Sequence, residues 1–261
     1  MFGWLRSRRR RAIQARPWPA AWSDVLSRNV RQVEWLSEDE RRRLESWAAV
    51  FLEEKRFEGC RGMRIDDEVR VSIAGQAGLV VLGMPGEFLD RLRSVLVYPG
   101  DYLVPRSTPL AGGGELEWRE PRLGETRDGG SMVLSWPRVV EGGRLRDGPR
   151  SVVIHECAHV IDLLDGEIDA VPPLATPAAR RDWMARIAGC RERFETALDE
   201  GRFVAFDDDA AEGAGEFFAV ASECFFQDPH RLERYDRELY RLMAEAWRQD
   251  PVTRVPLQRG R

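Results

Sequence analysis

The sequence predicts an α+β domain, helical at both ends, with a small mixed sheet beside one central helix. Three observations carry this. Helix-start signals recur along the chain, two short β-rich runs lie in its middle, and one strongly apolar helical segment holds two of the three histidines. At 261 residues and about 150 per domain, the chain fits one large domain. The expected boundaries are a basic, mobile, solvated arm over 1–20, the domain over 21–252 and a tail over 253–261.

Ser37-Glu38-Asp39-Glu40 reads as a capping box, with Ser37 as cap and Glu40 reaching back. Leu44, Trp47, Ala48, Phe51 and Leu52 then follow helical spacing, so a helix is expected from about Glu38 to Lys55. Val69 to Leu82 carries Ala74, Gly75, Ala77 and Gly78 and reads as a closely packed, buried helix. Ser94 to Tyr98 and Ser131 to Trp136 read as strands. Between them, 105–130 is rich in Gly and Pro and reads as a long irregular loop; a second glycine-rich connection runs from Glu141 to Pro149. Val152 to Leu164 is a helix that stops near Gly166. Thr176-Pro177 starts another, reaching about Leu198. Glu216 to Phe226 and a last helical region from Asp228-Pro229 to about Arg248 complete the chain.

Composition sets limits. Hydrophobic residues at 43% can bury a core, and a net charge of −4 argues against a surface given over to nucleic acid. No apolar run approaches the roughly 18–20 residues of a membrane span, so no membrane insertion is expected. No apolar stretch follows the N-terminal arginines, so no secretory signal is expected. Cys60, Cys157, Cys190 and Cys224 form no CxxC pair and read as free thiols of a cytoplasmic protein.

His155-Glu156-Cys157-Ala158-His159 is an HExxH motif on the central helix. Residues four apart share a helix face, about 5–6 Å between Cβ atoms, so both imidazoles can reach one tetrahedral Zn²⁺. Glu156 is then placed to take a proton from the attacking water. Cys157 points elsewhere and reads as a small core residue. A single zinc needs a third protein ligand. Asp165 lies about 15 Å along the axis from His155 and off its face, a poor candidate. Asp162 shares the histidine face; it reads either as a carboxylate holding a ligand imidazole or as a helix-end surface acid. Glu216 and Glu223, seven apart on a later helix, are the remaining candidates, with Glu216 preferred. His230 reads as surface, and Trp118 as lining a cleft or anchoring its loop.

HECAHVID, the following Asp-Gly-Glu, GEFFAVASECFF and Gln249-Asp250-Pro251 resemble the Mlc titration factor A family of bacterial zinc metallopeptidases. Phe51 to Phe57, Ile73 to Ala77, Val97 to Pro99 and Met132 to Trp136 extend the resemblance over roughly 20–252. It implies a cytosolic zincin-like fold, with an active site similar to that of the anthrax lethal factor catalytic domain. It also implies aminopeptidase-like activity on short peptides and binding of a glucose-responsive repressor, Mlc. Carried over by position, His155, His159 and Glu216 are zinc ligands, one zinc per chain, and Glu156 is the general base. Met132 to Trp136 would be the active-site edge strand. Many relatives carry Tyr seven residues before the ligand Glu; here that position is Asp209. An ionised Asp cannot donate to an oxyanion, and losing one such donor costs about 10²–10³ in rate. The resemblance therefore supports two functions, a zinc peptidase of reduced activity and a non-catalytic binder of a repressor.

Overall fold

The computed structural model describes residues 2–109, 115–122, 124–127, 130–146 and 148–257. Its sheet forms around the two β-rich runs. β2 (Ser94–Tyr98) pairs in parallel with β6 (Ser131–Ser135), Val95 opposite Met132 and Val97 opposite Leu134. β1 (Arg56–Gly59) adds in parallel beside β2, and β5 (Gly124–Arg127) runs antiparallel along β6, giving the order β1-β2-β6-β5. Met132 through Ser135 are all buried, as befits a strand with neighbours on both sides and layers on both faces. β6 is thus internal, not the expected edge strand. β5 takes the edge, and Trp136 opens a helix, α5 (Trp136–Gly143), instead of ending the strand.

The expected loop over 105–130 also differs. β3 (Tyr102–Pro109) and β4 (Glu115–Arg122) form an antiparallel pair, Tyr102 opposite Arg122 and Pro109 opposite Glu115. Prolines and glycines hid the strands from a pattern search. Trp118 lies in β4, its side chain outside the described residues.

The helical part follows its caps. In α3 (Glu38–Glu54) both capping-box bonds form: the Glu40 N–H donates to Ser37 Oγ at 3.2 Å and the Ser37 N–H to Glu40 Oε2 at 2.9 Å. α4 (Asp67–Val81) is buried from Val71 to Val81, because Gly78 lets it close on α3. A Cβ there would sit 2.5 Å from Leu44 Cδ1 and 3.1 Å from Trp47 Cε3. α2 (Ala20–Asn29) packs on the other flank of α4.

The N-terminal segment is not the expected solvated arm. It contains α1 (Phe2–Gln14), whose Arg10 is only 8% exposed. Arg10 Nη2 donates to Glu54 Oε2 at 2.6 Å and to Asp90 Oδ1. A charge run reads as solvated until two acids from elsewhere in the chain converge on one member of it. The C-terminal segment is held as well: Arg254 pairs with Glu40 at 2.7 Å and Val255 is buried. His230, expected at the surface, is half-buried with Nε2 2.7 Å from the Val255 carbonyl.

The site-bearing helices are α6 (Val152–Asp162) and α8 (Ala214–Gln227), packed against each other. α7 (Pro177–Asp199) starts behind the predicted Thr176 cap, whose hydroxyl accepts the Ala179 N–H. The last helical region is two helices, α9 (Pro229–Tyr235) and α10 (Arg237–Trp247). Asp236 breaks them, accepting from the N–H groups of Glu238 and Leu239 as a new N-cap. Among the described residues, no helix is long and apolar enough to cross a membrane.

Candidate metal centre

Ser151 starts α6, its hydroxyl accepting the Ile154 N–H at 3.3 Å. One turn in, the His155 and His159 rings meet edge to face with centroids 4.8 Å apart. Their neighbours Ile154, Cys157, Ala158 and Ile161 are fully buried, so the helix cannot rotate its histidine face away. Cys157 is the core residue the sequence predicts.

α8 delivers the third group. Gly215 leaves room for the segment after α6, since a Cβ at this position would overlap Ile168 Cγ2. Glu216 follows in the first helical turn, where the helix dipole favours a carboxylate. Glu216 Oε2 is 3.2 Å from His155 Nε2, Oε1 is 3.2 Å from His159 Nε2, and the two Nε2 atoms are 3.1 Å apart. Two imidazole nitrogens and the two oxygens of one carboxylate thus meet around one point. Bonds of 2.0–2.1 Å to a tetrahedral zinc imply ligand–ligand edges of about 3.3 Å. The observed spacings are within a few tenths of that value. Two imidazole nitrogens and a carboxylate are also the donor types zinc takes.

Glu223, two turns further along α8, is behind this cluster. Its Oε1 lies 2.8 Å from His155 Nδ1 and its Oε2 accepts the Ser151 N–H. The carboxylate bridges the helix start and the imidazole. It therefore holds the proton on Nδ1, so that Nε2 is the nitrogen left for a metal. Burial disfavours a charged His155, but the bonds to Glu216 and Glu223 outweigh it and raise its pKa well above the ordinary 6.5. Burial likewise works against an ionised Glu216, and the two histidines reverse this, holding its carboxyl far below the usual range.

Asp162 is neither of the two things the sequence allows. It is fully buried, and its oxygens accept the backbone N–H groups of Ala170 and Val171 at 3.0 and 2.9 Å. It pins the segment after α6; burial pushes its pKa up to about 6, against those hydrogen bonds. The expected task of holding an imidazole belongs geometrically to Glu223. Sequence left these two open because both lie on the correct helix face. The apolar setting of Glu223 was the one signal that it needed a partner. Glu156 is 2% exposed on α6. Asp209 is exposed on a 3₁₀ turn over 208–211, its N–H bonded to Asp207, which in turn pairs with Arg150.

In a mostly helical α+β fold, two histidines and a glutamate thus converge from two packed helices as a donor set that could hold a metal ion. The glucose-regulated metallo-peptidase M90 family matches residues 4–248, and the chain belongs to that family. An uncharacterized protein of Synechocystis sp. is 31% identical over 251 residues, spanning 95% of this chain and 90% of its own. Proteins named Mlc titration factor A, from Yersinia pestis and Yersinia pseudotuberculosis, are 29% identical over 244 residues, spanning 90% of this chain and 87% of theirs.

Proposed function

We propose that the protein is a zinc-dependent, aminopeptidase-like hydrolase of short peptides in the cytoplasm. His155, His159 and Glu216 hold one zinc per chain. The observation that carries this reading is the pair of Nε2 atoms 3.1 Å apart, each 3.2 Å from one oxygen of the Glu216 carboxylate. Zinc would supply Lewis-acid polarisation of the scissile carbonyl and a more acidic water. Glu156 takes the proton from the attacking water and passes it to the leaving amine. Glu223 keeps the His155 ring oriented through Nδ1.

A second reading is supported by the name of the Yersinia relatives and by Asp209 at the tyrosine position. Here the protein sequesters an Mlc-like repressor, and the metal serves structure more than turnover. The two readings part on Glu156→Gln. The peptidase reading expects this variant to keep its zinc and fold and to lose hydrolysis of aminoacyl chromogenic substrates. Hydrolysis equal to wild type would remove Glu156 from the mechanism. Retention of a purified Mlc-like repressor by both proteins would support the binding role.

A further inference from the structure

α1 divides its arginines between two faces. At 3.6 residues per turn, Ile13, Arg6 and Arg10 share the inner side. Ile13 is buried, Arg6 pairs with Asp90 at 2.9 Å, and Arg10 is held by Glu54 and Asp90. The inner face is therefore neutralised and anchored, which fixes how the outer face is presented. That outer face, about 160° wide, carries Trp4, Leu5, Arg8, Arg9 and Arg11.

Two properties set it apart from an ordinary solvated surface. Trp4 and Leu5 are large apolar residues, yet they are 60% and 53% exposed. Arginines flank them: Arg8 sits 5.7 Å from the Trp4 ring centroid, and Arg8 and Arg11 meet no acid among the described residues. Arg9 has only a long 3.8 Å contact with the exposed Glu53. The chain as a whole is at −4, so this positive charge is local.

We infer that the outer face of α1 is a docking surface for an anionic lipid bilayer, on which the domain sits peripherally without inserting a helix. A tryptophan and a leucine between arginines match the acyl and headgroup levels of such an interface. A nucleic acid would answer the arginines and leave Leu5 without a partner. The face is convex, whereas an acidic peptide is ordinarily received in a groove.

The test is co-sedimentation of the full chain with phosphatidylcholine vesicles, with and without phosphatidylglycerol, at low and high salt. Binding is expected only with phosphatidylglycerol, weakening as salt screens it. Arg8→Gln/Arg11→Gln is expected to weaken it about 25-fold, near fivefold per arginine. Trp4→Ala is expected to weaken it too, and all variants should keep the wild-type circular dichroism spectrum and Tm, since these side chains are exposed. Equal binding to both vesicle types would overturn the inference, as would variants that bind like wild type. Retention by duplex DNA or polyglutamate, but not by anionic vesicles, would overturn it in favour of another partner.

Discussion

Replacing Glu223 by Gln removes one charge and changes almost no volume, yet it strikes the atom that orients His155. The carboxylate offers two acceptors to two donors, the Ser151 N–H and His155 Nδ1–H. A Gln offers one acceptor and one NH₂. The backbone N–H of Ser151 cannot become an acceptor, so the amide oxygen stays with it and the NH₂ faces Nδ1. Nδ1 can accept only if the ring proton moves to Nε2, the nitrogen 3.2 Å from Glu216. That proton occupies the lone pair a metal needs. Loss of such an orienting carboxylate costs about 10- to 100-fold in metal affinity, ~1.4–2.7 kcal/mol. If the original tautomer persists, one buried N–H goes unpaired and the fold loses about 1–3 kcal/mol instead. Zinc affinity by competition with a colorimetric chelator, alongside Tm, separates the two. A variant that binds zinc within about twofold of wild type, with unchanged Tm, would refute the role given to Glu223.

Gly78→Ala should cost about 1–3 kcal/mol by wedging a methyl between Leu44 and Trp47, read as a lower midpoint in chemical denaturation; an unchanged midpoint would mean that α3 and α4 separate freely. Lys55, the only lysine, is buried with its amine 2.6 Å from the Leu89 carbonyl, and burial lowers its pKa from 10.5 to about 8 against the pull of Asp90 and Glu54. Between about pH 8 and 10.5 the unfolded chain holds this proton and the folded chain does not, so Lys55 makes stability rise with pH across that window. The single lysine ¹³Cε resonance should titrate near 8, and a midpoint at or above 10 would contradict this. Arg10→Met should leave Glu54 without its arginine and Asp90 with Arg6 alone, loosening α1, so limited trypsin should cut at Arg6 to Arg11 faster than in wild type while the remaining domain resists; equal cleavage rates would show that α1 is held by other contacts.

Local patterns were readable where the physics is local. The Ser37–Glu40 box, Thr176-Pro177 and the i, i+4 histidines depend on backbone geometry within one or two turns, and each is found where the residues predict it. The β-rich runs at 94–98 and 131–135 were legible for the same reason. Tertiary structure decided what depends on partners distant in sequence. Glu216 and Glu223 share one face of α8, and periodicity cannot say which faces Nε2 and which backs Nδ1; the packing of α8 against α6 does. Asp162 was indistinguishable from an imidazole partner until the chain folded back and offered it the N–H groups of Ala170 and Val171. Arg10 was one arginine in a run until Glu54 and Asp90 met it. β5, with no apolar signal of its own, became a strand because β6 presented an open row of backbone groups beside it. Spacing along a chain fixes which side chains share a face, but only packing across the chain fixes what that face meets.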